Sequence, residues 1–335
     1  VLVADEATYP TVEAYMPLWL VAVCVLAFPT KANSAIRAGG DTFVPAVVMS
    51  VIGLVNLVLD PLLIFGWYGF PEMGVQGAAL ATLISFTVGA GLALYIVIVK
   101  KQMMAVDGLY LSQFKDSMRR LLVIALPAGL ANVIMPFSMA VITAIVAGYG
   151  PEAVAAIGVA GRVEALAVLV VIALAVSMAP IIGQNWGAGK FERVDETINL
   201  SIGINLMWSA FVAVVLALGA RSIASEFSND PLVIHYTVLF FMIVPVTYGF
   251  GNIVFGWSSA FNAMGKPRRA FVMITVRSLL LGIPAAYLGA YLYGVVGVII
   301  SIAVMNVLSG ALFHWLSVRH CRAREQQTLD STASP

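Results

Sequence analysis

The sequence predicts an all-α polytopic membrane protein, and three observations carry that expectation. Of its 335 residues, 61% are hydrophobic and only 10% are charged, against about 25% charged in soluble domains. A soluble chain this apolar could not cover itself with polar surface; a bilayer removes the requirement. Apolar stretches of membrane-crossing length recur along the chain. The positive residues between them fall almost entirely on one side.

Crossing a bilayer takes roughly 20 apolar residues at about 1.5 Å of rise each. Nine segments qualify, at approximately 12–36, 43–66, 75–99, 121–148, 153–182, 198–219, 233–260, 271–290 and 295–318. Turn chemistry separates them: Arg37-Ala-Gly-Gly-Asp-Thr42, Gly69-Phe-Pro71, Gly148-Tyr-Gly-Pro151, Asn229-Asp-Pro231 and Gly265-Lys-Pro267. The 100–120 stretch is the one long polar connection and reads as a linker. It divides a three-span lobe, 1–110, from a six-span lobe, 111–320, followed by a polar tail, 321–335. From Arg319 onward the tail is expected to fray.

Counting alternate connections, one side holds fifteen of the 18 Lys and Arg residues: Lys31, Arg37, Lys100, Lys101, Lys115, Arg119, Arg120, Lys190, Arg193, Lys266, Arg268, Arg269, Arg319, Arg322 and Arg324. The other side holds only Arg221 and carries Asp5, Glu6, Glu72, Glu152, Glu226 and Asp230. The bias of Lys and Arg toward the cytoplasm then places this basic side and the C-terminus inside, and Val1 outside.

An internal repeat agrees. Ser34-Ala-Ile-Arg-Ala-Gly-Gly40 matches Ser259-Ala-Phe-Asn-Ala-Met-Gly265 at four of seven positions, and Gly74-Val-Gln-Gly77 matches Gly294-Val-Val-Gly297. The offsets are 225 and 220, and both copies run the same way through the membrane. Parallel repeats are a known transporter plan. Three spans precede the second copy and none precedes the first, so twelve helices are expected in the whole protein, of which nine are present.

Several function classes find no support. A net charge of +1 gives no case for a nucleic-acid partner. Cys24 and Cys321 lie far apart, and His235, His314 and His320 are scattered, so no disulfide framework, metal centre or cofactor is expected. No clustered nucleophile, base or metal constellation suggests an enzyme. Gln184-Asn-Trp-Gly-Ala-Gly189 lacks the spacing and the Gly-Lys-Ser/Thr ending of a phosphate loop. Its glycines read instead as a tight turn between helices. Fourteen Met and many aromatic residues suit a pliable cavity, although ordinary packing accounts for most of them.

Asp60 is the first candidate for chemistry, because an ionised carboxylate within the bilayer is costly unless paired. Asn56, four residues earlier, shares its face. Pro61 frees the carbonyl of Leu57. Such a group can bind Na⁺ or hold a proton; the alternative is that Asp60 caps a bent helix. Asp60 lies roughly 9 Å and Thr82 roughly 10 Å below the acidic-side ends of their helices, and Tyr15 is similarly placed. At an offset of about 225 the second copy carries Leu281 and Ala285 instead of the pair, which favours a job done once. Glu164 is the other deep acid. It reads as a second acidic cation site, or as the partner of Arg277 in a structural ion pair; Arg162 does not share its face.

Five motifs in order resemble the multidrug and toxic compound extrusion (MATE) family. Arg37–Thr42, Asn56-Leu-Val-Leu-Asp-Pro-Leu-Leu-Ile-Phe-Gly66 and Gly74-Val-Gln-Gly-Ala-Ala-Leu-Ala-Thr82 look like its fourth to sixth helices. Gly183–Gly189 looks like the loop after its eighth helix, and Ala263-Met-Gly-Lys-Pro267 like that after its tenth. The resemblance covers the whole chain. It implies two six-helix lobes facing a cavity that opens alternately to either side. It implies a monomer in the plasma membrane, the inner membrane of a bacterium. It implies efflux of bulky, cationic or aromatic drugs and toxins, driven by inward Na⁺ or H⁺ with no other cofactor. The family's coupling site falls on Tyr15, Asn56, Asp60 and Thr82, with Asn33 matching a further polar position that lies deeper. A lipid-linked oligosaccharide flippase of the related superfamily is the alternative. It would need several intramembrane cations for pyrophosphate, and only Arg162 and Arg277 qualify. A non-transporting scaffold would need neither the repeat nor the Asn-x-x-x-Asp pair.

The topology is testable. Single cysteines placed at Arg37 and Lys266 in a cysteine-free background should resist impermeant labelling from outside cells; labelling at either position overturns the orientation.

Overall fold

The computed structural model describes residues 9–104 and 111–333, and every long element among them is a helix. Asp5, Glu6 and the linker positions 105–110 lie outside the described residues, as do the side chains of Arg322 and Arg324. The chain divides into two compact units, Val1–Leu111 and Ser112–Pro335.

The first unit contains α1 (Tyr9–Ala38), α2 (Phe43–Ile64) and α3 (Gly74–Lys100). α3 is central and packs along both α1 and α2. Small residues permit this: Gly77, Ala79, Ala81, Ser85, Gly89, Ala90 and Ala93 are all buried on α3. A Cβ at Gly77 would strike the Leu63 main chain, and one at Gly89 would strike the Ile52 side chain. The apolar core, Ile36, Val48, Ile52, Ala93, Ile96 and Val97, lies toward the basic side.

The second unit contains α4 (Leu111–Ala147), α5 (Pro151–Gly187), α6 (Phe191–Phe227) and α7 (Pro231–Ala263). α7 narrows to a 3-10 turn at Pro245–Thr247. Pro267–Cys321 is helical throughout and 55 residues long. At 1.5 Å per residue that is about 80 Å, more than twice the hydrocarbon core. The backbone breaks at Tyr293 (φ −138°) and Gly294 (φ 60°, ψ −140°), and beyond the break Gly297 lies against the main chain of Gly289. The segment is therefore a hairpin of α8 (267–292) and α9 (295–333), and the described residues make nine apolar passages, as the segmentation predicts. α9 continues as helix to Ala333, where the sequence leads one to expect fraying from Arg319.

The helices also outlast their apolar windows at the basic side. α6 starts at Phe191 rather than 198, and α5 ends at Gly187 rather than 182. Leaving hydrocarbon does not end a helix; a cap does. Three such ends share one device. Gly40, Gly189 and Gly265 have φ of 91°, 70° and 73°, a left-handed conformation that glycine adopts without a Cβ clash. Each donates its N–H to the carbonyl three residues back: Arg37, Trp186 and Asn262. The next residue donates five back: Asp41 to Ile36, Lys190 to Asn185, and Lys266 to Phe261. This is the Schellman pairing that satisfies the last carbonyls of a helix. Gly40 and Gly265 are equivalent in the repeat, and the first glycines of its second motif, Gly74 and Gly294, are also left-handed, at 54° and 60°. The repeat is one of turn geometry as much as of letters.

Asp41 joins the ends of the first unit. Its Oδ1 accepts the Val44 N–H at 3.1 Å at the start of α2, and its Oδ2 meets Lys101 Nζ at 2.7 Å beyond α3. The Lys101 hydrogen bond, and then that of Val44, hold the carboxyl below its ordinary value. Its contribution is present at neutral pH and is lost as pH falls through that lowered value.

Two apolar clusters build the second unit. One contains Val146, Ile157, Phe240, Phe241, Val244, Val298 and Ile299; the other, toward the basic side, contains Met178, Ile182, Trp257, Phe261, Met273 and Phe313. Gly297→Val should disrupt the α8–α9 hairpin, since overpacking costs about 1–3 kcal/mol. Gly158→Ala, with nothing within 4 Å of the added methyl, should be neutral or stabilising by up to about 1 kcal/mol. Melting of the full-length protein in detergent checks both; equal melting of Gly297→Val and wild type would contradict the hairpin packing.

Candidate functional site

α2 carries its carboxylate where the sequence leads one to expect it. Asn56 Nδ2 donates to Asp60 Oδ1 at 3.3 Å, and both side chains are half-buried. They stand on one stripe of α2 with Ile52 and Leu63, residues packed against α3. The bond is long, and it leaves Asn56 Oδ1 and the second Asp60 oxygen for another partner. Pro61 lies inside the helix and has no N–H for the Leu57 carbonyl. A carboxylate, an amide oxygen and a freed main-chain carbonyl are suited to a proton or to a hard cation.

The glycine contacts set the level of the neighbouring helix. Leu63 faces Gly77 and Ile52 faces Gly89, so facing residue numbers add to about 140. Thr82 is then level with Val58 and Leu59, between Asn56 and Asp60. Its hydroxyl donates to Ala78 O at 2.9 Å within its own helix, which leaves its lone pairs as acceptors. Tyr15 is half-buried on α1. Asn33 is elsewhere: counted from the α1–α2 turn it lies roughly 16 Å from Asp60 along the helix axes. It is 1% exposed, and neither Oδ1 nor Nδ2 has a partner. The structure thus joins Asn56 and Asp60, sets Thr82 at their level, and places Asn33 near the apolar core around Ile36.

In the second unit a polar layer separates the two apolar clusters. Arg277 Nη1 donates to Gly251 O at 2.9 Å, and Nη2 donates to Asn306 Oδ1 at 2.8 Å. Asn306 Nδ2 reaches Thr247 Oγ1 at 3.1 Å, and Thr247 bonds back to Val244 O at 2.7 Å. Asn205 Nδ2 donates to Gly249 O at 2.8 Å. These bonds converge on the interrupted part of α7. Arg277 itself lies in a π-helical stretch, Val276–Gly282. Glu164 on α5 and Tyr248 share this electrostatic neighbourhood with Arg277, but among the described residues no salt bridge joins Glu164 to Arg277. The arginine's shown donors go to main chain and amide, so a direct Glu164–Arg277 ion pair is not what organises the layer. Sequence reasoning missed Asn205, Thr247 and Asn306. Their signal was modest: isolated polar residues in apolar spans, next to Pro245.

The glycine-rich Gln184–Gly189 segment ends α5, as its turn reading predicts. Gly183 sits against Ala263 O, and Lys266 Nζ lies 4.3 Å from the centroid of the Trp186 ring.

Comparison with known proteins agrees with this architecture. The MatE family model matches residues 127–288. The FAD transporter of Shewanella oneidensis is 36% identical over 328 residues, covering 98% of this chain and 73% of that protein. The probable multidrug resistance protein NorM of Thermotoga maritima is 27% identical, over 77% of this chain and 58% of its own. The crystal structure of the Vibrio cholerae MATE transporter VcmN in the bent form superposes with a TM-score of 0.86 at 29% identity, covering 97% of this chain and 72% of that one. With nine apolar passages, repeated turn geometry and a relative of this identity along nearly its whole length, the chain belongs to the MATE family of membrane transporters.

Proposed function

We propose that this chain forms the larger part of a secondary active exporter in which Asp60 takes the coupling ion. The observation that carries the reading is the Asn56–Asp60 bond at 3.3 Å, within a membrane helix of a MATE family chain. Na⁺ and H⁺ compete for one carboxylate, and that competition is a physical route to coupling. Pro61 supplies the place where α2 bends as the charge changes. The cargo is a drug or toxin, cationic or aromatic, in line with the multidrug names of the Thermotoga maritima relative and of MepA from Staphylococcus haemolyticus. A second cargo has its own support: the relative that is 36% identical over 98% of this chain is named an FAD transporter. The flippase alternative gains nothing, because Arg162 is exposed and Arg277 is bonded to Gly251 and Asn306, so the two do not form a pyrophosphate cradle.

In the full-length protein, Asp60→Asn keeps the side-chain volume and removes the titratable charge. It should abolish ion-driven efflux while leaving expression and cargo binding near wild type. Dye and antibiotic protection, and FAD release into the medium, should be measured side by side, so that cargo and coupling are read separately. If the variant pumps at wild-type rate with the same pH and Na⁺ dependence, Asp60 is a structural acid and the coupling group lies elsewhere.

A further inference from the structure

At the basic side of the second unit two chain segments far apart in sequence border an open groove of about 520 Å³. Asp116, Arg119, Arg120, Val123 and Ile124 of α4 form one wall, and Gly265 of the α7–α8 turn forms the other. A second cavity of about 250 Å³ shares Val123, Ile124 and Gly265 and adds Lys266, Arg268 and Arg269. Two cations and one carboxylate therefore line the first space, and three cations line the second, which adjoins it across Val123, Ile124 and Gly265. The bias toward cytoplasmic Lys and Arg requires only that these residues face inward. It does not require two segments to line adjoining cavities, and Lys190 and Arg193, also on the basic side, line neither of them.

The walls are amphipathic in a definite direction. Arg119 and Arg120 precede the apolar span of α4, and Val123 and Ile124 lie just inside it. Leu121 and Leu122 beside them, and Leu126 and Leu130 further into the span, are exposed. Some of the charges are already oriented. Lys266 Nζ lies 3.0 Å from His320 Nε2, and the Arg269 guanidinium lies 5.9 Å from the centroid of the Phe261 ring. Arg119, Arg120 and Arg268 are exposed. Hydrogen bonds tie α4 and its following turn to α8 further along, from Ser138 Oγ to Ser278 O and from Tyr149 to Ala290 O. At the basic end the gap between α4 and the α7–α8 turn is the cavity itself.

We propose that these two adjoining cavities bind the headgroup of an anionic phospholipid, with Arg119 and Arg120 on one wall, Arg268 and Arg269 on the other, and the acyl chains along Val123, Ile124 and the exposed leucines of α4. Charge complementarity selects the headgroup, and basic pockets between membrane helices on the cytoplasmic face are suited to such lipids. The apolar wall continuous with the cavity selects a lipid over a soluble phosphate. A bound lipid would clamp the basic end of α4 to the α7–α8 turn. The inference is independent of the cargo and of Asp60.

The test uses full-length transporter in nanodiscs of mixed phosphatidylcholine and phosphatidylglycerol, with retained lipids counted by native mass spectrometry. Wild type should retain phosphatidylglycerol over phosphatidylcholine by about tenfold. Replacing Arg119, Arg120, Arg268 and Arg269 with Gln should remove that enrichment, and Arg→Lys at the same positions should keep most of it. Lys190→Gln with Arg193→Gln, outside the cavity, should change nothing. Equal loss in that control would mean bulk surface charge and overturn the site, as would full enrichment in the cavity variant. Displacement of the lipid by millimolar inorganic phosphate would make the cavity a soluble-anion site and overturn the lipid assignment. If the fourfold variant does not fold, Arg119→Gln with Arg268→Gln, one change on each wall, gives the same reading.

Discussion

Hydrocarbon offers main-chain N–H and C=O groups no partner, and this constraint shapes the rest of the structure. Each passage must be helical, and each interruption must be covered by protein. The basic-side ends of α1, α5 and α7 satisfy their last carbonyls with one Schellman turn each, closing on Gly40, Gly189 and Gly265. Where α7 is interrupted at Pro245–Thr247, the cover comes from side chains: Arg277 on Gly251 O, Asn205 on Gly249 O, and Asn306 on Thr247. An arginine this deep is costly alone. It is tolerated here because a main-chain carbonyl, Gly251 O, and an amide oxygen, Asn306 Oδ1, accept its donors. Polar layer and helix break are thus two sides of one requirement.

Close packing follows from a second consequence. Lipid tails are as apolar as leucine side chains, so helices gain little by hiding apolar surface from lipid and associate through contact and fit. Small residues allow the contact. α3 approaches α2 through Gly77 and Gly89, and α8 approaches α9 through Gly289 and Gly297. These approaches set the register that brings Thr82 level with Asn56 and Asp60. The depth of the candidate ion site is therefore fixed by glycines that carry no chemistry of their own.

This explains what the sequence made legible. Passage number, side of the positive charges, turn positions and the Asn56–Asp60 pair were readable, because each depends on local composition or on i to i+4 spacing. The equivalence of Gly40 with Gly265 was readable as letters and proves to be an equivalence of φ and of hydrogen bonds. Helix ends were misjudged where hydropathy stood in for capping, as at Phe191 and Gly187. The partners of Arg277 were not readable, because Gly251 and Asn306 lie 26 and 29 residues away along the chain. Only packing of α7, α8 and α9 brings them together. Glu164 suggested itself as the arginine's partner because opposite charge is the pairing a sequence displays; it shares the arginine's electrostatic neighbourhood, while the hydrogen bonds of the guanidinium go to a carbonyl and an amide.

The repeat sharpens the difference between the two units. At an offset of 225, Arg277 corresponds to Ile52, and Ala285 to Asp60. Ile52 is buried and packs against Gly89, in a helix that α3 can approach closely. Arg277 occupies the same place in a π-helical stretch and reaches across to a broken neighbour. The two copies of the repeat therefore carry a carboxylate in the first unit and a guanidinium in the second, at different positions. A carboxylate with one amide partner and spare oxygens can exchange a proton or a small cation without dismantling its helix. A guanidinium bonded to a main-chain carbonyl and a buried amide cannot leave without breaking both bonds and losing its own partners in hydrocarbon. On physical grounds the first arrangement is suited to change during a cycle and the second to hold. The proposed coupling charge thus lies in α2, and the charge bonded to main chain and amide lies in α8.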